Sequence, residues 1–178
     1  MVAAAQIAAS LGYAVHVMVA IILVSAGAAK LRNWPRFRAT VMDYRILPER
    51  TAAFAAAALP PLEMLLGISL LLQMGSIPGL ATAALLLTFA AAIAINLYRG
   101  RTAIDCGCSF AHEGQPIRSA MVVRNLVIAA ALLAATAAPS PGSAVFSAMA
   151  ACVGTMLFLF YVIFNQIIAL SGRFPARR

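Results

Sequence analysis

The chain has 178 residues, 63% of them hydrophobic and only 10% charged, whereas soluble domains carry roughly 25% charged residues. Thirteen Lys and Arg against five Asp and Glu leave a net charge of +8. This composition excludes a soluble globular fold, which would lack polar surface to present to water. It defines an all-α chain, a polytopic transmembrane helical bundle of about five spans with a four-helix core.

A hydrocarbon core about 30 Å thick takes roughly 20 apolar residues per helix. The first such run covers 11–29, with a start as early as Val2. Ala26-Gly27-Ala28 resembles a signal cleavage site, but no basic stretch precedes the run and it is too long, so the span is expected to be retained. Further runs follow at 51–72, 80–98, 119–138 and 144–170. Their alanine-rich composition, without polar–apolar alternation, favours helices over barrel strands. Pro78-Gly79 and Pro139-Ser140-Pro141-Gly142 punctuate the second and fourth connections. No internal repeat or linker divides the chain, which reads as a single integral-membrane domain over 1–178.

Charge is segregated. Lys30, Arg32, Arg36, Arg38, Arg45 and Arg50 occupy the first connection, Arg99, Arg101 and Arg118 the third, and Arg173, Arg177 and Arg178 the tail. The second and fourth connections carry no charge. Five spans put all the basic segments on one face, which the positive-inside rule assigns to the cytoplasm. Basic segments beside spans meet the anionic headgroups of the lipid bilayer, so the positive charge requires no nucleic-acid partner.

The third connection contains Asp105-Cys106-Gly107-Cys108. A thiolate attacks disulfides and binds soft metals, and a disulfide across so small a ring is expected to be strained and oxidising. Gly107 frees the turn. Arg99 and Arg101 favour a thiolate, while Asp105 opposes it or relays a proton. These are the ingredients of a redox switch, with two alternatives: a pair of inert reduced thiols, or a soft-metal site in which His112 joins Cys106 and Cys108. No fourth ligand is evident beside them, and no metal is expected. Cys152, in the fifth span near the uncharged face, reads as a small packing residue.

Polar residues inside spans are functional candidates by default. Glu63 lies in the middle of the second span after Pro60-Pro61, Asn96 closes the third, and Arg124 and Asn125 open the fourth. Two readings stand: a polar pocket under the cysteines, formed by Lys30, Asn96, Arg99 and Arg124 with Glu63 beneath, or a structural ion pair such as Glu63 with Arg124. His16 and Ser25 read as helix-to-helix hydrogen-bonding residues.

Ser25-Ala26-Gly27-Ala28-Ala29-Lys30-Leu31, Phe37 with Tyr44 and Leu47-Pro48, and Leu59-Pro60-Pro61-Leu62-Glu63 with Gly67 recur in order with Asn96-Leu97-Tyr98-Arg99-Gly100-Arg101, Asp105-Cys106-Gly107-Cys108 and Val123-Arg124-Asn125-Leu126. On this series the chain resembles the MauE family of methylamine-utilisation membrane proteins, which is similar in helical layout to the DoxX-like group. The resemblance implies a multi-pass protein of the bacterial cytoplasmic (inner) membrane, associated with maturation of an exported, disulfide-containing client. It also implies a thioredoxin-like partner and thiol-disulfide oxidoreductase chemistry, with Cys106, Cys108 and Asp105 as the catalytic group. Lys30, Tyr44, Glu63, Asn96, Arg99, Arg101, Arg124 and Asn125 would line the accompanying pocket. The family commonly has Phe-Gly after the second cysteine, where this chain has Ser109-Phe110. By analogy with other helical disulfide-forming membrane enzymes, a membrane quinone beside Glu63, Arg124 and Tyr44 would accept electrons. The alternative function is a small-solute or sulfur-species transporter, or a metal-handling protein, using the same pocket. Maturation of an exported client favours an outward cysteine loop, whereas the charge asymmetry favours a cytoplasmic one.

Overall fold

A computed structural model describes residues 2–104 and 117–171 of the chain, with side chains over 5–104 and 117–167. Its helices are α1 (Val2–Arg32), α2 (Trp34–Asp43), α3 (Glu49–Leu71), α4 (Ile77–Tyr98), α5 (Ser119–Thr136) and α6 (Ala144–Ser171). All but α2 are long and apolar enough to cross a membrane, giving the five expected spans, and no strand occurs among the described residues.

The helix ends differ from the sequence expectation in physically simple ways. At 1.5 Å per residue, the 31 residues of α1 extend about 46 Å, longer than a hydrocarbon core is thick. Lys30 and Arg32 therefore occupy its last turn. Pro78 and Gly79 belong to the first turn of α4 rather than to the connection before it, because proline is tolerated where a helix has no amide partner to lose.

The helix α2 has no counterpart in the sequence expectation. It is short and lies in the basic connection, where hydropathy gives no signal. Its signal is periodicity: Phe37, Thr40, Val41 and Tyr44 follow helical spacing, and Pro35 sits in its first turn. Phe37 and Thr40 are buried, while Arg36 and Arg38 point outward. An amphipathic helix of this kind lies along a membrane surface rather than through it.

In α3 the buried residues Ala52, Ala56, Pro60, Glu63, Gly67 and Leu70 form one stripe at helical spacing. That stripe packs on α1, which is the central helix, touching α3, α5 and α6. Small residues set the approach. A Cβ on Gly27 of α1 would lie 2.8 Å from the Pro60 carbonyl oxygen, and one on Gly67 would lie 3.0 Å from the Ala20 carbonyl oxygen. The same device joins α6 to α1, where a Cβ on Gly154 would meet the Ala14 carbonyl oxygen at 2.5 Å.

The main apolar cluster draws on α1 (Val19, Ala20, Leu23), α3 (Leu70), α4 (Ala83, Leu85, Leu86) and α5 (Ile128, Ala129, Leu132). These four helices are the core, and α6 packs outside it on α1 with most of its surface exposed.

Candidate functional site

Four helices converge on Lys30. It is buried at the end of α1, and its ammonium pairs with a carboxylate oxygen of Glu63 on α3, which is only 1% exposed. The pairing follows from register: Gly27 lies against both Pro60 and Glu63, and Lys30, one turn beyond Gly27, tilts its side chain back along α1 toward that point. The ammonium also lies 5.2 Å from the ring centroids of both Phe37 on α2 and Phe89 on α4, within cation–π range. Glu63 therefore pairs with Lys30 and not with Arg124, because α3 packs against α1 whereas Arg124 reaches toward α6. Glu63 Oε2 has no hydrogen-bond partner among the described residues.

A second polar cluster forms where α4 ends. Gly100 adopts a left-handed backbone with φ 70°. The amide of Gly100 donates to the Leu97 carbonyl and that of Arg101 to the Asn96 carbonyl, each at 3.0 Å. This pairing is the Schellman motif, and glycine adopts its left-handed position without a Cβ penalty. The turn sends Arg101 back onto its own helix, where its guanidinium donates to Asn96 Oδ1 (3.2 Å) and to the Tyr44 carbonyl (3.3 Å). Asn96 is fully buried and donates in turn to the Ala92 carbonyl. Arg99 donates to the Arg45 carbonyl at 3.2 Å. The basic residues after α4 thus hold down the end of α2.

Asp105, Cys106, Cys108 and His112 lie outside the described residues, as do Arg173, Arg177 and Arg178. The anchors of the cysteine segment are described. The Ile117 amide donates to the Ile104 carbonyl at 3.1 Å, and both isoleucines are buried. Ile117 packs with Ile93 and Met121, against which Tyr44 and Leu97 also lie. Ile104 and Ile117, on either side of residues 105–116, are therefore held together beside the Asn96–Arg101–Tyr44 cluster. Among the described residues no three His, Cys, Asp or Glu side chains gather as metal ligands.

Arg124 belongs elsewhere. Its guanidinium donates to Asn165 Oδ1 at 2.8 Å and lies 5.8 Å from the Tyr161 ring centroid, both on α6. The next residue, Asn125, is buried in the α5 stripe with Met121 and Ile128. Its Nδ2 has no hydrogen-bond partner among the described residues. The expected single pocket is thus resolved into three groups: Lys30 with Glu63, Asn96 with Arg101 and Tyr44, and Arg124 with Asn165.

Three further expectations change. Cys152 is exposed on α6 and is not a packing residue of the bundle, since α6 presents most of its circumference outward. His16 and Ser25 do not bridge helices: His16 Nδ1 meets the Gly12 carbonyl at 2.8 Å, and Ser25 Oγ donates to the Ile21 carbonyl at 2.6 Å. The carbonyl one turn back is the nearest acceptor for a short side chain in a helix.

Beside Lys30 lies a cavity of about 290 Å³ between α2, α3 and α4. Phe37, Tyr44, Leu59, Phe89 and Ile93 wall it, and Lys30 is the cationic residue in its lining. Phe89 was not singled out from sequence. An aromatic in an apolar helix looks like any core residue until its neighbour across the bundle is known.

Together these features define a multi-pass helical membrane protein with a buried ion pair at its basic end and both anchors of a cysteine segment beside it. Comparison with known proteins makes the assignment specific. The family model described as "Methylamine utilisation protein MauE" matches residues 8–139. The MauE protein of Paracoccus denitrificans is 36% identical over 93% of this chain and 91% of its own length. That of Paracoccus versutus is 36% identical over 92% and 90%, and that of Methylophilus methylotrophus 34% over 90% and 85%. The chain belongs to the MauE family and is a multi-pass bacterial membrane protein. No solved structure matches it.

Proposed function

We propose that this chain is a membrane thiol-disulfide redox protein that assists maturation of a disulfide-containing partner in methylamine utilisation, acting through Cys106 and Cys108. The observation that supports this reading best is the anchoring of residues 105–116. The Ile104–Ile117 hydrogen bond and the Arg99 and Arg101 contacts fix the residues on either side of the cysteine segment at the basic end of the bundle. A thioredoxin-like protein is the partner this chemistry suits.

In the reaction, a partner thiolate attacks one sulfur of the Cys106–Cys108 disulfide, forming a mixed disulfide and releasing the other cysteine as a thiolate. The partner's second thiolate then attacks the mixed bond, so the partner gains a disulfide and the pair is reduced by two electrons. Arg99 and Arg101, near the base of the segment, favour the thiolate forms.

The test is replacement of both cysteines by serine in the producing strain. Loss of disulfide formation in the methylamine-pathway client, with the variant present at normal levels, is expected. A partner lacking its second cysteine should also trap a reducible adduct, because its one thiolate opens the Cys106–Cys108 disulfide and nothing completes the transfer. Undiminished client maturation in the double variant overturns the proposal.

A further inference from the structure

We propose that the cavity between α2, α3 and α4 is a binding site for a neutral, membrane-soluble ring compound bearing hydrogen-bond-accepting carbonyls, the chemical class of the quinones. Three observations carry this.

The first is the wall. Phe37, Tyr44 and Phe89 present aromatic surface and Leu59 and Ile93 aliphatic surface around about 290 Å³, room for a substituted ring and the start of its tail. The second is the donor. An ammonium has three N–H groups, and Lys30 gives one to Glu63. Beside the ammonium stand the Phe37 and Phe89 rings. Its other N–H groups suit a carbonyl oxygen. Glu63 has already neutralised the lysine, so an anionic headgroup would bring an uncompensated charge into an apolar site. A neutral acceptor adds none.

The third observation is position. Tyr44 and Ile93 wall the cavity and also pack with Ile117, the first described residue after the cysteine segment. Under the thiol reading this places an acceptor where one is required. Two thiols closing to a disulfide release two electrons and two protons, which reduce one quinone to one quinol. Ligand binding itself does not depend on the cysteines, so the two proposals can fail separately.

Trp34, the single tryptophan of the chain, lies in α2 one turn from Phe37 and reports on the site. The full-length protein in phosphatidylcholine nanodiscs is titrated with decylubiquinone while tryptophan emission is followed. Saturable quenching is expected. Filling the cavity from α4 with Ala92→Phe, or independently from α3 with Ala55→Phe, should weaken half-saturation by at least about tenfold, or roughly 1.4 kcal/mol. Saturable quenching retained by the Cys106→Ser/Cys108→Ser variant would show the site independent of the thiols. Two results overturn the proposal: quenching that rises linearly with quinone per lipid and is identical in wild type and filled variants, or strong quenching by brominated phosphatidylcholine that decylubiquinone does not displace. The second result would make the cavity an acyl-chain groove.

Discussion

At the scale of single residues, the informative pair is Lys30 and Glu63. Each is nearly inaccessible, at 8% and 1% exposure, so neither charge is solvated by water and each is held by the other. Removing one partner of a buried pair typically costs about 3–5 kcal/mol, because the survivor keeps its desolvation penalty and loses its attraction. Replacing both by apolar residues of similar volume is far cheaper. Glu63→Gln and Lys30→Met are therefore each expected to lower the thermal unfolding midpoint in detergent, and the Lys30→Met/Glu63→Met double variant to recover most of the loss. An unchanged midpoint in Glu63→Gln would show that the pair is not held as ions. The double variant also separates the two meanings of the pair. If it is stable and still supports client maturation, the ions serve packing alone. A stable but inactive double variant assigns them to the site.

At the scale of elements, the position of that pair depends on how closely α1 and α3 approach. Gly27 faces the Pro60 carbonyl oxygen and Met64 Cγ, each 2.8 Å from where a Cβ would stand. The carbonyl is backbone and cannot yield without separating the helices. Gly27→Val is expected to destabilise the bundle by about 1–3 kcal/mol and to loosen Lys30 from Glu63 one turn away. Gly142→Ala, whose nearest neighbour would be Gln6 Nε2 at 3.4 Å, should be close to neutral in the same thermal assay. Equal effects of the two changes would refute the close-approach argument. This dependence on lateral neighbours also explains which features were legible in the sequence. The five spans were, because hydropathy reports local solvent preference and each run is long enough to cross a bilayer. Glu63, Lys30 and Asn96 were legible as unusual residues for the same reason. Their pairing was not: spacing along a helix fixes the face a residue occupies but not which helix lies against that face, so the sequence suggests Arg124 as the partner of Glu63 where the structure has Lys30. The helix α2 was hidden differently, since its Phe37–Thr40–Tyr44 face is short and interleaved with the arginines that mark a polar connection.

For the whole molecule, the six helices bring every described basic segment to one end. Arg99 and Arg101 from the end of α4 reach the carbonyls of Arg45 and Tyr44 at the end of α2, and Ile104 and Ile117 anchor the cysteine segment at that same end. The opposite end, with Gln73–Ser76 and Pro139–Ser143, carries no Lys, Arg, Asp or Glu. The positive-inside rule predicts from this asymmetry that the basic end faces the cytoplasm, which would put Cys106 and Cys108 on the side away from an exported client. The opposing expectation is that a protein serving an exported client exposes them outside. An impermeant maleimide applied to intact cells separates the two, in a Cys152→Ser background so that the exposed cysteine of α6 contributes no signal. The pair at Cys106 and Cys108 is expected to label only after permeabilisation. Ser140→Cys, introduced at the exposed uncharged end with all three native cysteines replaced, should label without it. Labelling of the native pair in intact cells, with Ser140→Cys protected, would invert the topology. The cysteine segment would then act on the client from outside, and the Lys30 cavity would open at the outer leaflet.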